Sequence, residues 1–302
     1  MRLELSPNME HQTVSVYDRQ AHYTTRGPQD ARFIYVGING LMGGGDSFWP
    51  VIQGVPDDWR VVLPDLPGCG ESEPMPATHK HNIDGYARWL GEFLRVLGLD
   101  DRQVVLASVA TGAPISVRFA LDNKEQVAGQ VLHLPFLGKV AIAAKWARPV
   151  VAYGLLVGPL RSLVDSLRSS DWVMHKIILH EPPDAIPELA ERDIDHKQQA
   201  DLAAAGELLH NLMLTDARTE LPLVDSPILI LASEHDFAAP LPVLEGIAAR
   251  HPERRLYVYS GGQHSWNEEF IDEMNREIAQ FCKDIAAESG AVASPGATLE
   301  LG

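Results

Sequence analysis

Short apolar runs alternate with segments of helical period along most of the chain. Thr13 to Val16 and Ala21 to Thr25 read as a short antiparallel pair of strands. Arg32 to Gly37, Arg60 to Asp65, Val104 to Ala107 and Val127 to Leu134 hold compact apolar runs and read as buried strands. Between them, Ile83 to Leu97 puts Tyr86, Leu90, Phe93, Leu94 and Leu97 on one helical face, and Pro114 to Leu121 reads as a second helix. Strands return at Pro227 to Ala232 and Arg255 to Tyr259, and a helix from Asn267 to Ala287 closes the pattern. The alternation predicts an α/β fold with a mostly parallel central sheet flanked by helices.

The rhythm breaks between residues 138 and 217. That stretch is rich in Ala and Leu, carries Pro149, Pro159, Pro182, Pro183 and Pro187, and contains no strand pattern. It reads as a helical lid inserted between two sheet strands. The expected division is a first core part over 1–137, the lid over 138–217, a second core part over 218–288 and a tail over 289–302. The tail is rich in Ala, Gly, Pro and Ser and reads as disordered. Val140 to Leu160 is the most apolar stretch, but Lys145, Arg148, Pro149 and Pro159 speak against a membrane span.

Charge narrows the list of partners. The chain has 302 residues and a net charge of −16, from 41 acidic and 25 basic side chains. Nucleic acid needs a basic footprint and anionic membranes attract basic segments, so neither is an expected partner. Two cysteines, Cys69 and Cys282, make no disulfide framework and point to a reducing, cytoplasmic setting. Met1 to Asn8 lacks the apolar core of a signal segment.

The chemistry gathers at strand ends. Val104 to Pro114 reads as strand, sharp turn and helix, and Ser108-Val109-Ala110-Thr111-Gly112 fits the small-x-nucleophile-x-small frame of a nucleophile elbow. Ala110 holds the central position with a methyl group and no attacking atom. Upstream lie the glycine-rich loop Asn39-Gly40-Leu41-Met42-Gly43-Gly44-Gly45 and the loop Asp65-Leu66-Pro67-Gly68-Cys69-Gly70-Glu71-Ser72. Downstream, Asp236 and His264 each follow a strand. This order of elements, from about residue 13 to 287, resembles the α/β-hydrolase family. The resemblance implies that fold and a triad running Ala110 (the nucleophile position), Asp236, His264. It also implies oxyanion donors at the N–H groups of Leu41 and Thr111. A neutral histidine moves the proton and the carboxylate behind it fixes the tautomer. Glu234 competes with Asp236 for the acid position. Asn39, Met42, Trp146 and Trp172 are candidate pocket residues.

Three functions fit these residues. In the first, Ala110 replaces a Ser or Cys in an enzyme that hydrolyses or transfers acyl groups of esters, thioesters or lactones. In the second, Ala110 is native, and His264 with Asp236 serves as a general base in lyase, cyclase or cofactor-free oxygenase chemistry. The third is a non-catalytic protein that binds a small molecule. The expected partner is a small-molecule acyl substrate, free or carrier-bound, with no cofactor and no metal. His79 with His81, and Asp193 and Asp195 with His196, lack metal-ligand spacing and read as solvated faces.

Overall fold

The computed structural model describes residues 8–138, 158, 160–170, 172, 186–236, 239–251, 254–264 and 268–292. Its sheet has eight strands: β1 (Glu10–Val16), β2 (Arg19–Arg26), β3 (Phe33–Ile38), β4 (Arg60–Pro64), β5 (Gln103–Val109), β6 (Val127–His133), β7 (Ile228–Ser233) and β8 (Arg254–Tyr259). They lie in the order β1-β2-β4-β3-β5-β6-β7-β8. β2 runs antiparallel to both β1 and β4, and the six strands β3 to β8 run parallel to one another. The β1–β2 connection is a two-residue turn, Tyr17 and Asp18, with φ of 53° and 58°. Both values are positive, as the turn that matches strand twist demands.

Residues alternate between two cores across the sheet. In β5, Val104 and Leu106 face one core while Val105 and Ala107 face the other. Both faces are buried, which is why these strands read as continuous apolar runs rather than alternating ones. The first face is covered by α1 (Ile83–Val96) and α2 (Ala113–Asp122), which bury Tyr86, Leu90, Phe93 and Phe119. Asn82 caps α1 by accepting the Gly85 N–H at 2.8 Å. The second face is covered by 3-10 turns over Gly45–Gly54, which bury Phe48, Val51 and Ile52, and by the C-terminal helix.

Three α-helices occupy the described part of the interval between β6 and β7: α3 (Arg161–Arg168), α4 (Pro187–Gln199) and α5 (Leu202–Leu214). A further helix, α6 (Leu241–Arg250), joins β7 to β8. The sequence pattern did not single it out, because it is short and carries Gly246 in its middle. The last helix, α7 (Glu268–Val292), corrects the expected tail boundary. It passes Ala287 and enters the stretch expected to be disordered. Ala286, Ala287 and Glu288 favour helix, and Arg32 donates to the Ser289 carbonyl at 3.0 Å. Its buried stripe is Phe270, Met274, Ile278, Phe281, Cys282 and Ile285. Among the described residues, no helix is long and apolar enough to cross a membrane.

One buried group ties the fold to pH. His133, at the end of β6, is fully buried beside the Phe48 ring, and burial pushes its pKa down to about 3. In an unfolded chain a histidine titrates near about 6.5. Between the two values the unfolded chain binds the extra proton, so stability rises with pH across that window. His133→Leu removes this term. Urea unfolding of the variant should therefore lose about 2 kcal/mol less than the parent between about pH 7 and about pH 5. An equal loss in both chains would show that His133 does not carry the acid sensitivity.

Candidate active site

The turn after β5 is built on a close approach. A single 3-10 turn, Ala110–Gly112, joins β5 to α2. A Cβ at Gly112 would stand 2.4 Å from the Ile38 carbonyl oxygen and 2.8 Å from that of Asn39. Only glycine lets the turn press against the end of β3 in this way. Ala110 sits at the tip with φ of 47°, in the left-handed region, at a cost of roughly 1 kcal/mol for a residue with a Cβ. Its carbonyl accepts the Phe136 N–H at 3.0 Å, which fixes the turn to the segment after β6.

The glycine-rich loop after β3 lies alongside this turn. The Leu41 N–H donates to Thr111 Oγ1 at 2.6 Å, so one expected oxyanion donor is engaged by the protein's own hydroxyl. Met42 is half-buried with φ of 61°. Asn39, a candidate pocket residue by sequence, is 1% exposed, and its amide is engaged by its own loop and by the loop after β4. Asn39 Nδ2 donates to the carbonyls of Gly40 (3.1 Å) and Gly43 (2.5 Å), and Oδ1 accepts the Leu66 N–H at 3.3 Å. It braces the loop rather than lining a cavity. Of the two candidate tryptophans, Trp172 is 66% exposed and Trp146 lies outside the described residues.

The remaining groups come from the loops after β7 and β8. His264 Nδ1 donates to Asp236 Oδ2 at 2.8 Å. The Asp236 side chain is fully buried, and its Oδ1 accepts the Ala239 N–H at 2.9 Å. With Nδ1 held by the carboxylate, the neutral ring carries its lone pair on Nε2. Glu234 takes a different part. It accepts from Ser260 Oγ at 3.0 Å and from the Gly261 N–H at 2.8 Å. The Gly261 N–H, ahead of Ser260, holds its carboxyl below the usual range. Glu234 thus braces the turn that carries His264. The two loops are also joined by backbone, with Glu234 N–H to Tyr259 O at 3.0 Å and His235 N–H to Gly262 O at 2.8 Å.

Topology brings the two halves to one edge. β5 and β7 flank β6, β8 lies beyond β7, and all four are parallel. The loops carrying Ala110, Asp236 and His264 therefore leave the same edge of the sheet. In open parallel sheets that edge is where ligands bind. Cys69 takes no part as a nucleophile: burial, ahead of the nearby Asp65 charge, pushes its thiol up to about 12.

Helix α4 adds a contact that the sequence pattern did not indicate. His196 Nε2 and Arg192 meet the Asp46 carboxylate at 2.9 Å and 3.1 Å, and the Arg192 guanidinium lies 4.2 Å from the centre of the Trp49 ring. A Cβ at Gly44 would strike the His196 ring at 2.4 Å. The sequence pattern places His196 on a solvated face, but the ring turns inward onto the glycine-rich loop. The available signal was the i,i+4 spacing of Arg192 and His196, which places both on one helical face.

The chain belongs to the alpha/beta hydrolase fold family, whose family model matches residues 36–270. Among curated proteins it is 33% identical over 112 residues to haloalkane dehalogenase 2 of Mycobacterium tuberculosis. That match covers 35% of this chain and spans only 38% of the dehalogenase. A longer match, 23% identical over 274 residues, is to a Caulobacter protein named as carbamate hydrolase RutD, and covers 88% of this chain and 96% of that protein. Among solved structures, the enol-lactonase from Burkholderia xenovorans superposes with a TM-score of 0.70 at 18% identity, covering 90% of this chain and all of that one. A thermophilic esterase from Thermogutta terrifontis gives 0.68 at 18% identity, covering 94% and 100%.

The α4 contact makes a pH prediction. Burial alone would lower the His196 pKa, but the Asp46 hydrogen bond and the charges of Asp46, Asp65 and Asp193 outweigh it and raise the value. A raised folded value means the stabilisation is fully present below the unfolded value of about 6.5 and is lost as pH rises through the folded value. Amide exchange over α4, corrected for intrinsic rates, should quicken as pH rises through that range. His196→Gln should remove the dependence. The same dependence in the variant would assign it to another group.

Proposed function

We propose that position 110 is the nucleophile position of an acyl-hydrolase framework, with His264 as general base and Asp236 as its partner. In this chain Ala110 removes covalent catalysis while the other parts are kept. The substrate class is an ester, thioester or lactone, free or carrier-bound, and the reaction is hydrolysis or acyl transfer. The observation that carries this reading is the left-handed backbone at Ala110, at the tip of a strand–turn–helix. A turn with no use for a side chain there would relieve the strain with glycine. The buried carboxylate behind His264 is a second support. The hydrolase names of the relatives support bond cleavage by water as the reaction class. They act on different bonds by name, so the substrate rests on this chain's own loops.

Restored to a nucleophile, the site would work as follows. His264 Nε2 accepts the proton as the oxygen or sulfur at position 110 attacks the acyl carbon. Asp236 stabilises the imidazolium without taking the proton. The N–H groups of Leu41 and Thr111 face the developing oxyanion once Thr111 Oγ1 yields the Leu41 N–H. The proton then passes from His264 to the leaving group, and water repeats the sequence on the acyl-enzyme.

The hydrogen bond from Leu41 to Thr111 favours a second reading, because it leaves that oxyanion donor already satisfied. Here Ala110 is native and His264 takes a proton directly from bound substrate or water, with no covalent intermediate.

Intact mass and turnover on a panel of acyl esters and thioesters separate the readings. A110S or A110C should form an acyl adduct or turn over on the order of a thousandfold or more faster than the Ala110 chain. Substrate conversion by the Ala110 chain, unimproved in either variant, would favour the general-base reading. Folded but inert variants would contradict the acyl-hydrolase reading.

A further inference from the structure

A second cluster of titratable groups lies at the β1–β2 hairpin, away from His264 and Asp236. His11 Nδ1 and His22 Nε2 are 3.1 Å apart. A carboxylate oxygen of Glu71 joins them, and the three ligand-type atoms all lie within 4.8 Å of one another. His22 is buried, whereas His11 and Glu71 are exposed. On its other nitrogen, His22 Nδ1 donates to Asp65 Oδ2 at 2.8 Å. Asp65 is itself held by the N–H groups of Gly45 (2.7 Å) and Glu71 (3.0 Å). The trio comes from two strands and a loop, far apart in sequence, so no metal-ligand spacing marks it in the chain.

We propose that His11 Nδ1, His22 Nε2 and the Glu71 carboxylate form a binding site for a zinc-class divalent cation, with Asp65 orienting His22 from behind. A carboxylate behind a ligating histidine fixes the tautomer and raises the basicity of the ligating nitrogen. The spacing fits. Zn–N bonds of about 2.0–2.1 Å in a tetrahedral site place neighbouring nitrogens about 3.3 Å apart, close to the 3.1 Å between these two nitrogens. Glu71 closes the remaining gap by a rotamer change, which its exposure permits. Water fills the fourth position. Two imidazoles and one carboxylate make a borderline donor set that suits zinc better than calcium or magnesium.

The cation replaces the proton that otherwise joins the two rings, and His11 then carries its proton on Nε2. The edge-on Trp49 ring, 6.1 Å between centroids, packs beside His11. A cation here would clip the hairpin to the loop after β4. That loop in turn bonds to the Asn39 loop through the Leu66 N–H. The role is structural, and no step of the acyl chemistry runs through it.

The test is calorimetric titration of the full chain with Zn²⁺ after chelator treatment, with thermal unfolding alongside. The expected result is one strong equivalent and a raised unfolding temperature. His11→Ala and Glu71→Gln should each weaken binding by about tenfold or more. Both positions are exposed, so both variants are expected to fold, and their apo unfolding temperatures check this. His79→Ala should bind like the parent and serves as the surface-histidine control. Binding unchanged in H11A and E71Q would overturn the proposal. So would the absence of a strong equivalent in the parent, which would leave the ring pair as an ordinary histidine–histidine hydrogen bond.

Discussion

The site depends on how closely the turn after β5 approaches the end of β3. Gly112 has no Cβ, and one would stand 2.4 Å from the Ile38 carbonyl. That contact sets the height of the turn. It brings Thr111 onto the Leu41 N–H and leaves Ala110 at the tip with a left-handed backbone. The strain there is small against the burial that surrounds it: Val104 to Ala107 and Ile115 are fully buried. A rigid two-faced sheet is what can hold such a turn in place.

The second half of the site is held by different physics. Asp236 loses its hydration on burial, and directed bonds from Ala239 N–H and from His264 help replace it. Glu234 and the backbone bonds between the loops after β7 and β8 keep His264 in register with Asp236. The two halves are distant in sequence, and among the described residues the parallel ladder from β5 through β6 and β7 to β8 joins them. Helix α4 reaches the same edge from the interval between β6 and β7, through Arg192, His196 and Asp46.

Much of the fold was legible because both sheet faces are buried. Burial on both faces writes strands as apolar runs, and α1 shows a clear 3.6-residue stripe. The antiparallel hairpin was legible as two short runs, Thr13 to Val16 and Ala21 to Thr25, close together in sequence. What failed was local. The short helix α6, broken by Gly246, carried no periodic signal, and α7 ran past a boundary drawn from composition alone. At the site, strand-end position pointed to Ala110, Asp236 and His264. It did not reveal that Asn39 is engaged by its own loop and by the loop after β4, because a buried amide and a ligand-facing one look alike in sequence. Nor did it reveal His196 on Asp46 or His11 beside His22, since both contacts join segments that only the tertiary fold brings together.

The proposal that matters most is that the turn tip at position 110 faces His264, which Asp236 backs. The most direct measurement is the pH dependence of thiol alkylation in A110C, with and without the added substitution His264→Ala, and it needs no knowledge of the substrate. A thiol beside a histidine held by a carboxylate should react as a thiolate well below its ordinary pKa of about 8.5, with a midpoint under about 7. Loss of His264 should return it to the ordinary value. An ordinary midpoint in A110C, unchanged by His264→Ala, would contradict the account.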